Sequence, residues 1–73
     1  MKTTIVDGFT VRYENGYMEC GKYYAERFYQ SHGATFSGWI VRHESNPYDV
    51  SDPIYNRKEA LRILVAAERG DYR

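Results

Sequence analysis

Few side chains in this chain have the type and spacing that chemistry requires. Nucleophilic catalysis needs a Cys or Ser beside a His, with a third group orienting the base. Cys20 is the only cysteine, and its surrounding pattern puts it on an apolar face, where a buried thiol is inert rather than activated. His32 and His43 are eleven residues apart and flank one extended run. At about 3.3 Å per residue they are roughly 36 Å apart, too far to share a metal ion. An acid–base pair of carboxylates needs a pocket to hold it. Glu14, Glu26, Glu44, Asp49, Asp52 and Glu59 read more simply as strand surface, loop or helix cap. The six glycines are isolated and lack phosphate-loop spacing. The expectation is a non-enzymatic chain with no catalytic residues, no metal site and no cofactor.

Two groups of residues are suited to binding instead. Tyr17, Tyr23, Tyr24 and Tyr29 with Arg27 form an aromatic cluster near a hairpin and the strand after it. Tyrosine and arginine supply most interface hot spots, and nucleic-acid bases also stack on sheet aromatics. Lys58, Arg62 and Arg69 fall in one narrow stripe of a helix, where they could meet an acidic partner or serve only as its solvated face.

The elements that position these groups are partly legible. Asn15-Gly16 separates two alternating runs and is the preferred pair for a two-residue type I′ turn, with positive φ at both residues. That turn sets Glu14 opposite Tyr17, Tyr13 opposite Met18, Arg12 opposite Glu19 and Val11 opposite Cys20. One face then collects Phe9, Val11, Tyr13, Met18 and Cys20. The other holds Thr10, Arg12, Glu14, Tyr17 and Glu19, an apolar–polar split that a one-residue slip would scramble. Gly21 marks a bulge or turn. Residues 22–30 fit a strand with aromatics on both faces, or a helix stacking Tyr24, Ala25, Phe28 and His32 ahead of Gly33; the strand is the preferred reading. A further strand from Thr35 to His43, apolar on both faces, belongs at the centre of a sheet. Glu44 to Pro53 reads as a breaker-rich loop, with a short strand around Ile54 and Tyr55.

A helix is expected from Arg57 to about Arg69. Asn56 is its N-cap, Glu59 gives capping-box spacing, and Gly70 is its stop. At 100° per residue Ala60, Ile63, Leu64 and Ala67 share one side, with Leu61 at its edge. The fold class is therefore α+β: an antiparallel β-meander of about four strands with one C-terminal helix packed on one face. Seventy-three residues make one small domain, 1–73, with a thin stability margin.

Composition narrows the function classes. Ten basic and ten acidic residues balance, and the two halves balance separately, four of each sign in 1–36 and six of each in 37–73. Affinity carried by phosphate contacts usually shows a basic excess. The surplus lies in tyrosine, with eight copies beside three Phe and one Trp. Residues 1–8 contain no apolar run of signal-peptide or membrane-span length, and a single Cys forms no internal disulfide. The expected setting is a reducing cytoplasm.

Trp39-Ile40-Val41-Arg42-His43-Glu44, a loop, Pro53-Ile54-Tyr55 and then Glu59-Ala60-Leu61 resemble the strand–loop–strand–capped-helix arrangement of small phage-encoded inhibitors of bacterial RNA polymerase. The resemblance spans residues 39–69. It implies a short phage-type protein that binds and blocks a host machine, and it carries no contact residue across. The leading expectation is accordingly a protein-binding module, an inhibitor or regulator from a phage or mobile element. The alternative is a nucleic-acid-binding module using sheet aromatics and the basic helix stripe. A homodimer is a further possibility.

Overall fold

The alternating segments pair in the order in which they occur along the chain. A computed structural model describes residues 1–29, 37–49, 51 and 53–71. It contains strands β1 (Lys2–Val6), β2 (Phe9–Glu14), β3 (Tyr17–Cys20), β4 (Tyr23–Tyr29), β5 (Ser37–His43) and β6 (Asn46–Asp49), followed by helix α1 (Arg57–Arg69). The strands form one antiparallel sheet in the order β1-β2-β3-β4-β5-β6. The α+β meander with a C-terminal helix is thus present, with six strands where the sequence suggested about four.

The expected β2–β3 register holds at three of its four pairs, Arg12 with Glu19, Tyr13 with Met18 and Glu14 with Tyr17. The turn type does not. Gly16 has φ 79°, whereas Asn15 is not in the positive-φ region, so this is not a type I′ turn. Gly16 is instead drawn into the next ladder, its carbonyl accepting from the Arg27 N–H at 3.1 Å. Positive φ at both central residues occurs one hairpin earlier, at Asp7 (51°) and Gly8 (83°). That turn joins β1 to β2 and sets Val6 opposite Phe9.

The described part of the ambiguous run, Tyr23–Tyr29, is a strand. Between β3 and β5, Ala25 turns into the core while Tyr24 and Glu26 turn the other way. Two readings of the following segment need correction. Part of the expected loop is β6, a short edge strand pairing at Arg42–Asp49 and His43–Asn46 across a register shift. Its Pro47 is tolerated because an edge strand does not need every N–H. The expected strand at Ile54 and Tyr55 reduces to one bridge, with Trp39 and Ile54 exchanging backbone hydrogen bonds at 2.6 and 2.9 Å. Beside that bridge the buried Ser51 hydroxyl accepts from the Val41 N–H.

Helix α1 begins and ends where the sequence indicates. The Asn56 side chain accepts from the Glu59 N–H at 3.2 Å. The Glu59 carboxylate turns to Arg62 rather than closing the reciprocal half of the box. At the other end the Gly70 N–H bonds to the Ala67 carbonyl and the Asp71 N–H to that of Ala66, as in a Schellman motif. The helix packs on β3, β4 and β5. Its buried residues are Ala60, Leu64, Val65 and Ala67, against Val11, Met18, Cys20, Ala25, Trp39 and Val41 of the sheet. The buried arc is rotated toward Val65 relative to the expected stripe, leaving Ile63 half-buried.

A polar contact lies along the same side of the helix. Glu68 falls within the buried arc, and its carboxylate accepts the backbone N–H of Lys22 at 3.0 Å. Gly21 permits this approach. Its φ is +60°, and a Cβ there would lie 1.8 Å from the carboxylate oxygen. Gly21→Ala should therefore lower stability by more than about 1 kcal/mol. It should also cost more than Gly8→Ala, whose φ is positive but whose surroundings are open. Leu64→Ala, at the centre of the seam, should cost about 2–5 kcal/mol. Denaturant midpoints of the three variants check both statements.

Candidate functional site

The two faces of the sheet carry different side chains. On the face away from α1, cross-strand pairing lines up Thr3, Arg12, Glu19, Tyr24 and Arg42 across five strands. A second row holds Glu14, Tyr17 and Glu26. Opposite charges meet along these rows, Arg12 with Glu19 at 3.1 Å and Arg42 with Glu26 at 2.6 Å. The rings of Tyr17 and Tyr24 stack with centroids 6.1 Å apart and planes 28° apart. Ile5, on the same face of β1, is 70% exposed. Toward β5 the face is no longer open, and Ile40 is buried there.

The expected aromatic cluster is therefore divided. Tyr17 and Tyr24 share the open face, but Tyr23 does not join them. Neighbouring strand residues point to opposite faces, and Tyr23 packs against the core with its ring edge-on to His43 at 4.8 Å. Arg27 lies on the helix side, opposite Trp39. Tyr29 pairs with Ser37 along the backbone; its side chain and His32 lie outside the described residues. Lys58, Arg62 and Arg69 are all exposed on α1, yet two of the three are already paired. Arg62 engages Glu59 through both Nε and a terminal nitrogen, which holds the Glu59 carboxyl below its usual range. Arg69 meets Asp71 at 2.6 Å and Asp7 at 3.5 Å.

A third surface was not visible in the sequence. Beyond the N-terminal end of α1, the helix-side face opens into a cleft of about 540 Å³ lined by Lys2, Tyr13, Glu14, Arg27, Trp39 and Arg57, with Gly16 at its rim. Pairing explains the assembly. Lys2 lies opposite Tyr13, and Arg27 opposite Trp39, so all four point to the same face. Arg57, the first residue of α1, places its guanidinium 5.4 Å from the centre of the Tyr13 ring. Lys2, Arg27 and Arg57 thus stand around two aromatic rings. The described lining has no Ser, Cys or His.

Burial, reinforced by the charge of Glu68, pushes the Cys20 thiol up. The Ser45 backbone N–H donates to His43 Nδ1 at 3.1 Å. No described helix is long and apolar enough to cross a membrane.

No protein-family model, no curated protein and no solved structure matches the chain.

Tyr17 gives the open face a measurable property. Burial, then its hydrogen bond to Glu19 at 2.9 Å and the neighbouring acidic charges, push its phenol up to about 12. The unfolded chain releases this proton near pH 10, so the folded state keeps it longer. The resulting stabilisation is complete below about pH 10 and is lost as pH rises through about 12. Stability should fall less steeply over that interval in Tyr17→Phe than in the parent, measured by denaturation at stepped pH.

Proposed function

We propose that this protein is a non-enzymatic protein-binding module, an inhibitor or regulator that occludes part of a host protein machine and is of phage or mobile-element type. The observation that carries this reading is the open face of β1–β4. It presents the stacked Tyr17 and Tyr24, the exposed Ile5 and two cross-strand ion pairs on a hydrogen-bonded sheet. Rings already stacked on strands lose little rotamer freedom on docking, so more of the contact energy appears as affinity. Tyrosines with a wet hydroxyl and a buried ring face are common interface anchors.

The nucleic-acid alternative has weaker support. Its expected helix stripe spends Arg62 on Glu59 and Arg69 on Asp71 and Asp7. A basic stripe neutralised by its own neighbours has few counterions left to release on meeting phosphates.

Affinity capture from host lysate after nuclease treatment tests the proposal. The expected result is a protein partner retained at raised salt, with Tyr24→Ala weakening capture at least about fivefold, as loss of a contact worth more than 1 kcal/mol does. Lys58→Ala should have little effect. Submicromolar binding to oligonucleotides, lost between 50 and 200 mM salt on the order of 10³-fold or more and abolished by changing Lys58 and Arg62, would overturn the proposal.

A further inference from the structure

The cleft beyond the N-terminal end of α1 differs from the open face in charge, shape and location, and its role does not depend on what that face binds. We propose that it is a binding site for a small anion carrying a flat ring, of the nucleoside-phosphate class.

Charge is the first argument. The chain is neutral overall, yet the described lining of the cleft brings Lys2, Arg27 and Arg57 together. Cations gathered in this way suit a phosphate monoester, which carries about −1.5 to −2 near neutral pH. The three cations come from β1, β4 and α1, so no single element's amphipathic pattern accounts for their meeting. Two are guanidiniums, whose planar donor forks suit phosphate oxygens, and the third is a compact ammonium.

Shape is the second. A volume of about 540 Å³ falls within the ~300–1,000 Å³ of small-molecule sites. Trp39, only 6% exposed, is a fixed wall. Tyr13, half-buried, holds the Arg57 guanidinium over its ring. A guanidinium kept in place by an aromatic ring loses less freedom on binding an anion, and its outer plane can stack on a ligand ring. The cleft therefore offers an anion-binding rim beside flat, largely apolar walls.

Trp39 is the only tryptophan, so its fluorescence reports this cleft alone. The full chain is titrated with AMP, adenosine and inorganic phosphate, followed by fluorescence and calorimetry. AMP should bind saturably, with a Kd below about 1 mM, and both fragments should bind at least about tenfold more weakly. Arg57→Ala should weaken AMP about tenfold or more, as expected for a hydrogen bond to a charged group. Lys2→Ala, on the exposed edge strand, should do the same and leaves the helix start untouched. Lys58→Ala should leave binding unchanged. The proposal fails if AMP binds no better than adenosine, or if folded protein shows no saturable signal. It also fails if Lys58→Ala weakens AMP as much as Lys2→Ala does.

Discussion

One helix has to cover one face of a sheet that is wider than the helix, and most of this molecule's features follow from that mismatch. Thirteen residues of α-helix reach about 20 Å and span about 10 Å with side chains. Six strands at about 4.8 Å spacing are more than twice as wide. Helix α1 settles over β3, β4 and β5, where Met18, Ala25 and Val41 meet Leu64 and Val65. Beyond its C-terminal end, Val6 and Phe9 pack inward to close the flank. Beyond its N-terminal end no described residue closes the sheet in the same way, and Lys2, Tyr13, Arg27 and Trp39 surround an opening. The Glu68 carboxylate on the Lys22 N–H ties the C-terminal half of the helix to the β3–β4 turn.

The same mismatch separates the two faces chemically. On the helix side, polar groups are pushed to the periphery, where Arg57 and Arg27 rim an aromatic hollow. On the other side no described helix packs, and side chains from β2–β5 satisfy one another laterally. Arg12 reaches Glu19, Tyr17 donates to Glu19, and Glu26 accepts from Arg42. Such a surface is ordered without being buried. The balanced charge of the whole chain conceals this division, because the cations gathered at the hollow are offset by acidic residues elsewhere in the chain.

The parts legible in the sequence were those written in local signals. The Asn15-Gly16 hairpin register, the caps at Asn56 and Gly70, and the bounds of α1 each rest on residues a few positions apart. The turn at Asp7-Gly8 carried a similar local signal, yet β1 was hard to see because Thr3, Thr4 and Ile5 show no apolar–polar alternation; all three are exposed. Grouping Tyr23 with Tyr24 ignored the alternation that a strand at residues 23–29 imposes. The cleft was beyond the reach of local signals. It requires the pairing of Lys2 with Tyr13 and of Arg27 with Trp39, together with the end of a helix some forty residues away from β2. What a helix fails to cover is a property of the packed whole.

The strand order has a kinetic meaning. Every strand pairs with its neighbour in sequence, and three of the hairpins, β1–β2, β2–β3 and β3–β4, close over two-residue turns. Loop-closure entropy, which slows folds built from distant pairings, is therefore small for most of the sheet. It concentrates in one event, the arrival of α1 on β3–β5, where Glu68 finds a backbone N–H 46 residues away. Until then the strands have only one another, and a sheet with an uncovered apolar face is marginal in water. The meander can zip locally and reversibly, and the docking of its last element makes the assembly cooperative.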